Sequence, residues 1–354
     1  MNTAFYRILG NNLVANITNF TVWFAVTFWV YLETHSVFAT GLIAGIYLVF
    51  TAGFGFWFGS LVDHHPKKTV MLGSSAASFA LYAIGLAITR LAPVGSFNAV
   101  ASVWLWALIL TTMLGVIVGN IRGIALPTLV TVLIPEDQRD KANGLVGMVS
   151  GIGFLTTSVI SGFLVAHGGM AGALTLALVL TVLVFLHLMT VPIEEGRSEA
   201  ATGAAAEPKT VDIKGTIRVI SEVPGLFALI FLATFNNFLG GIFMALMDAY
   251  GLSLVSVEVW GTIWGVLSVG FIVGGAVVAK KGLGKNPLRT LLLANVVAWA
   301  ICAVFTIHSS VISLAIGMFI WLCLSPAMEA AEQTILQKVV PPERQGRVLS
   351  LIHI

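Results

Sequence analysis

Apolar runs of about twenty residues recur roughly ten times along this chain of 354 residues, and that pattern leaves few folds open. They lie near 10–32, 39–61, 69–90, 101–133, 144–166, 170–192, 225–247, 259–279, 289–308 and 311–336. A helix needs about 20 apolar residues to cross the ~30 Å hydrocarbon core. Lipid offers no partner to backbone N–H and C=O groups, so each run is predicted to be a helix. Only 10% of the residues are charged and 58% are hydrophobic, whereas a soluble domain carries about 25% charged residues. The surface must therefore face lipid, and the fold class is all-α, a polytopic membrane protein. The fourth and tenth runs are long enough to tilt or to extend beyond the bilayer. The first is too long and too rich in Asn for a cleaved signal, and is taken as an uncleaved span.

Lysine and arginine fix the expected orientation. Of 18, sixteen fall at the amino terminus or in alternate loops: Arg7; Lys67 and Lys68; Arg139 and Lys141; Arg197, Lys209, Lys214 and Arg218; Lys280, Lys281, Lys285 and Arg289; Lys338, Arg344 and Arg347. The other loops hold only Arg90, and Arg122 sits inside the fourth span. This bias puts the amino terminus and the basic loops in the cytoplasm, and the localisation expected is the plasma membrane. Trp29, Trp104, Trp106 and Trp260 fall near the outer span ends, where interfacial aromatics are expected.

A polar segment at 193–223 is predicted to be a cytoplasmic linker. It divides a bundle of six helices (1–192) from a partial bundle of four (224–354), and the two sides resemble each other. Pro135-Glu-Asp-Gln138 follows the fourth span and Pro342-Glu-Arg-Gln345 the tenth, 207 residues later. Gly41 and Gly45 open the second span; Gly261 and Gly265 open the eighth. Repeated six-helix bundles with a substrate site between them are a common plan of secondary transporters. The second copy stops after four helices, so the sequence reads as a fragment of a twelve-span protein, with a genuine ten-span protein as the alternative.

The loop after the second span runs Gly59-Ser-Leu-Val-Asp63-His-His-Pro-Lys67-Lys68. It resembles the signature loop of the major facilitator superfamily: Gly, three residues, Asp, a basic residue, any residue, Gly, then two basic residues. Gly59, Asp63, Lys67 and Lys68 match in place; His64 stands for the usual Arg or Lys, and Pro66 for the second Gly. The resemblance implies a gating role for these residues, here grouped with Arg139, and places the Asp near a helix amino terminus that would stabilise it. The alternative is an ordinary basic turn.

Arg122 lies about 20 Å of helix from Pro135. A charge at that depth costs at least ~2.5–3.5 kcal/mol and is expected to face a wet cavity or a partner. The family resemblance implies a cavity-lining helix whose Arg is tied to proton coupling; snorkelling is the alternative. The 207-residue offset carries Arg122 onto Glu329, expected on the opposite wall of one cavity as a protonatable group tuned by the arginine. The alternative places Glu329 and Glu332 at the wet end of their helix. Asp248, a further coupling candidate, is read first as an interfacial charge, as is Glu33.

Asn16 and Asn19 lie about one turn apart in the first span, and Asn236 and Asn237 sit in the seventh. Such amides bond between helices or line a polar pocket; with Phe20 and Trp23 they are expected to form a pocket for a bulky amphipathic substrate. Gly115, Gly119 and Gly123, and Gly270 with Gly274, are close-packing stripes. The fifth span resembles the Gly-rich motif of drug/proton antiporters, but Val159-Ile-Ser-Gly162 lacks its proline. Cys302 and Cys323 are read as packing residues, with no metal and no cofactor expected. No HExxH, GxSxG, Walker or dinucleotide signature is present, so no enzyme is expected.

The net charge of +2 gives no reason to expect nucleic acid. The function expected is proton-driven export of a small amphipathic molecule by alternating access, with a monomer in the lipid bilayer. Uptake or facilitated diffusion, and a non-transporting receptor or inactive fragment, are the alternatives.

Overall fold

The computed structural model describes residues 3–135, 139–193, 224–305, 307 and 310–339. All regular structure among them is helical: α1 (Thr3–Thr34), α2 (Val37–His64), α3 (Lys67–Leu91), α4 (Val103–Gly119), α5 (Ile121–Leu133) and α6 (Arg139–Thr190). After the interval 194–223 follow α7 (Leu226–Leu254), α8 (Val257–Lys281), α9 (Pro287–Phe305) and α10 (Val311–Val339). The expected linker and both Pro-Glu-x-Gln repeats lie largely or wholly outside the described residues.

Nine stretches among the described residues are long and apolar enough to span a membrane. One of them, Val149–Thr190, has 42 residues. At 1.5 Å per residue that is about 60 Å, twice the hydrocarbon thickness. The backbone turns back at Gly169, whose φ of 56° and ψ of −161° are not helical. Side-chain contacts with α1 show the reversal. Thr157 and Ser161 reach the carbonyls of Ile17 and Thr21, so the segment 139–168 runs parallel to α1. Asn11 donates to the Val184 carbonyl, and Arg7 to Thr190, so the segment 170–190 runs antiparallel to it. The fifth and sixth spans are therefore a helical hairpin, as the sequence predicts, which gives ten crossings among the described residues.

The fourth span departs from expectation. It is broken at Asn120, whose N–H is shared between the Val116 and Ile117 carbonyls, 3.1 Å from each. That tightened turn separates α4 from α5. Pro127, inside α5, supplies no N–H for the carbonyl one turn earlier.

The packing suits a lipid solvent. Phe38, Val49 and Phe231 are 71%, 70% and 66% exposed, which a water-facing surface rarely shows in such density. Inside, α1 is the most enclosed span, with Phe5, Ile8, Val22, Ala25, Phe28 and Val30 fully buried. Polar side chains inside the bundle find backbone carbonyls: Ser74 bonds Val118 and Ser78 bonds Gly115, both at 2.8 Å. Such interhelical bonds stabilise membrane bundles by about 0.6 kcal/mol each on average.

Candidate substrate site

The amides predicted to line a pocket converge in the first bundle. Asn19 is their hub. Its Nδ2 donates to the Val116 carbonyl at 2.9 Å and to Asn120 Oδ1 at 3.1 Å. Its Oδ1 accepts from the Tyr82 hydroxyl at 2.9 Å. Asn120 Nδ2 in turn donates to the Tyr47 hydroxyl at 2.9 Å. The break at Asn120 turns this side chain toward α1 and α2, and Gly119 leaves room for the Asn19 amide to lie against α4. The chain Tyr82–Asn19–Asn120–Tyr47 thus links α3, α1, α4 and α2.

The far end of that chain opens into a cavity with about 50 Å³ of room for water, lined by Asn16, Asn19, Phe20, Trp23, Tyr47, Val116 and Asn120. The Trp23 and Tyr47 rings lie 4.4 Å apart. Asn16, Asn19 and Trp23 are here together, as the sequence predicts. Tyr47, Tyr82 and Asn120 are not foreseen; the visible signal is the Gly115–Gly119 stripe, which faces the Tyr82 ring and the Asn19 amide. Asn236 and Asn237 do not line this cavity. Asn236 accepts from the Trp299 indole at 3.0 Å, within the second bundle.

Arg122 corrects the expectation of a residue facing the gap between bundles. It is 3% exposed and lies inside the first bundle. Its guanidinium donates to Ser75 Oγ at 2.7 Å, to the Met71 carbonyl at 3.3 Å and to Asn11 Oδ1. Asn11 also meets His187 at 3.1 Å. Arg122 borders a second cavity with about 20 Å³ of room for water, lined also by Thr18, Asn19, Ser74, Ser78 and Tyr82, about enough for one water molecule. The donors of a guanidinium outnumber what a single carboxylate accepts, so a basket of amide, hydroxyl and carbonyl oxygens can hold it. No interaction joins Arg122 to Glu329 in this conformation. Glu329 is exposed on α10, three residues past Pro326.

The signature loop divides. Gly59 and Asp63 fall in the last turns of α2, and Lys67 and Lys68 begin α3; the side chains of Asp63 and Arg139 lie outside the described residues. Lys67 Nζ lies 3.5 Å from the His65 carbonyl. Lys68 Nζ donates to the Met189 and Val191 carbonyls at 3.1 and 2.7 Å. Arg7 meets Thr190 from the other side. Two cations therefore close the carboxyl end of the sixth span, where the helix dipole favours them.

Among the described residues, the bundles approach each other closely toward the span ends opposite the basic loops. Gly162 and Gly261 bring α6 and α8 together so closely that a Cβ at Gly261 would come within 2.6 Å of the Ser158 carbonyl. Phe24 and Phe154 of the first bundle pack on the Trp264 ring of α8, with centroids 6.1 and 5.6 Å apart. Trp260 and Asp248 lie near the ends of α8 and α7 that face each other. Each is covered by protein rather than exposed at a span end: Trp260 is fully buried and Asp248 is 6% exposed. A buried aspartate needs donors, and the Trp260 and Trp264 indoles supply them.

The family model described as the Major Facilitator Superfamily matches residues 8–354. The chain belongs to the major facilitator superfamily. Macrolide efflux protein A of Streptococcus pyogenes is 23% identical over 358 aligned positions, covering 98% of this chain and 84% of that protein. Among solved structures, a bacterial homolog of the human lysosomal transporter Spinster, inward-facing and unoccupied, superposes with a TM-score of 0.66 at 16% identity, covering 99% of this chain and 79% of its own. A bacterial homologue of the iron transporter ferroportin, in an inward-facing state, gives 0.64 at 16% identity, with coverage of 99% and 88%. A D-xylose–proton symporter gives 0.66 at 14% identity, with coverage of 99% and 85%. This facilitator chain is a multi-pass membrane transporter, not an enzyme.

Proposed function

We propose that this protein exports amphipathic, macrolide-like compounds from the cytoplasm by alternating access, driven by protons. The observation that carries the reading is the cavity of Trp23, Tyr47 and Phe20 beside the amides of Asn16, Asn19 and Asn120. Aromatic faces take the apolar body of a ligand, and a few fixed amides orient its hydroxyl and carbonyl groups. Among the described residues no acid or base lines it, which favours a ligand whose recognised face is uncharged. The similarity to a macrolide efflux protein supports the same substrate class.

The bias of Lys and Arg toward alternate loops supports an amino terminus and a linker 193–223 on the cytoplasmic side of the plasma membrane. On that assignment the tight Gly162–Gly261 contact closes the external end, and the molecule faces inward. The bundles are 1–192 and 224–354. Glu329 is the carboxylate proposed to exchange protons. It lies exposed inside a span, and a carboxylate there must meet a wet gap rather than lipid. Arg122 acts by holding α1, α3 and α5 in one geometry. Gly59, Asp63, Lys67, Lys68 and Arg139 belong to the cytoplasmic gate, where Lys68 ties α3 to the sixth span.

Inverted membrane vesicles containing the protein test this reading. Radiolabelled macrolide should accumulate when an inward-acid gradient is imposed, and a protonophore should abolish the accumulation. Accumulation no greater than in vesicles lacking the protein would remove the export reading. Accumulation indifferent to the protonophore would remove the coupling.

A further inference from the structure

Asp248 and Arg122 are the two charged residues that the structure buries among its described residues. Arg122 serves the first bundle; Asp248 stands in the second, near the end of α7. One oxygen, Oδ1, accepts from both the Trp260 and the Trp264 indole N–H groups, each at 3.1 Å. These are its hydrogen-bond partners among the described residues. The two tryptophans lie one turn apart on α8, their rings 5.9 Å apart and edge to face. Gly251, three residues after Asp248 on the same face of α7, admits the Trp260 ring: a Cβ there would collide with it. Trp264 is thereby aimed at the other bundle, where Phe24 and Phe154 meet it. Gly261 and Gly265, on the same helix, make the backbone contact with Gly162 and Leu155.

We infer that Asp248 is a positioning residue of the external gate: its carboxylate oxygen clamps the two indoles so that Trp264 wedges against Phe24 and Phe154 and holds that end shut. A tryptophan held only by packing can swing about two side-chain torsions. One fixed by an acceptor in a dry site cannot leave without exposing a buried, unpaired N–H, which is costly. The clamp lies within the second bundle and the wedge bears on the first. Losing the acceptor therefore weakens closure between the bundles without removing a contact between them. The inference rests on the alternating-access reading only for the premise that this end opens and closes.

The test is electron–electron resonance distance measurement between spin labels at Asn98→Cys and Ser253→Cys, with Cys302 and Cys323 replaced by Ala, in nanodiscs without substrate. The clamped protein should give one short distance. Asp248→Ala should raise the population of a longer distance roughly fivefold, the factor expected from losing one or two hydrogen bonds. Asp248→Asn, which keeps an acceptor oxygen, should restore the short distance. Trp264→Phe, which keeps an aromatic ring, though a smaller one, and loses the N–H, should open the gate in the same direction as Asp248→Ala, and carries the test should that variant not fold. Distances unchanged in Asp248→Ala or in Trp264→Phe, or an Asp248→Asn protein as open as Asp248→Ala, would overturn the clamp. Because no substrate is present, failure of macrolide export leaves this result standing, and the reverse also holds.

Discussion

Asn19 reaches across the first bundle to Asn120, its amide nitrogen 3.1 Å from the Asn120 oxygen, and through that contact the shape of the pocket depends on the break in the fourth span. Replacing Asn19 by Ala strands the Tyr82 hydroxyl and one Asn120 acceptor at once. An unsatisfied buried group costs about 1–3 kcal/mol, so Asn19→Ala should lower stability by roughly 2–4 kcal/mol, read as a fall in the thermal midpoint in detergent. Tyr82→Phe removes one bond and leaves Asn19 two, so its loss should be about a third of that.

Arg122 and Asn11 form one unit and should behave as one in a double-mutant cycle. Arg122→Ala and Asn11→Ala each remove the Arg122–Asn11 contact, one side of a basket whose other oxygens come from Ser75 and Met71. The double variant should be less destabilised than the sum of the two, by about 0.5–3 kcal/mol, the range for residues in direct contact. Additive losses, measured by chemical unfolding in micelles, would show that Arg122 is held by something else.

The depth of Arg122 is legible from the sequence alone; its partners are not. A lone Arg in an apolar run invites a carboxylate on the facing helix, and the repeat offset supplies Glu329. The structure instead answers it with neutral oxygens from α1 and α3, which the sequence shows only as scattered Asn and Ser among apolar neighbours. Span count and the hairpin at Gly169 follow from hydrophobic length, a signal that lipid enforces strictly. Asn16, Asn19 and Trp23 fall on one face of one helix, so helical spacing reveals them. Tyr47, Asn120 and the Asp248–Trp260–Trp264 set join residues from different helices. Only tertiary packing brings those together.

Gly261→Val should push α8 away from α6, because its side chain would run into the Ser158 carbonyl and the Gly162 backbone. Overpacking of this kind costs about 1–3 kcal/mol. It should shift the molecule toward opening at that end and reduce export at least tenfold. The check is export in vesicles alongside labelling of an outer-loop cysteine.

Lys68→Gln should matter little to stability. It loses two carbonyl contacts at a helix carboxyl end, where a cation is worth about 0.3–1 kcal/mol at low salt. The thermal midpoint should fall slightly, and the difference should shrink in 0.5 M salt, as screening requires.

The pocket's access and occupancy give the most direct test of the whole account. Asn16→Cys, in protein lacking Cys302 and Cys323, is treated with a membrane-impermeant thiol reagent in inside-out and in right-side-out vesicles at rest. Labelling should occur in the inside-out vesicles, be at least tenfold slower in the right-side-out ones, and be blocked by a macrolide. Equal labelling from the two sides, or labelling that a saturating macrolide leaves untouched, would contradict it.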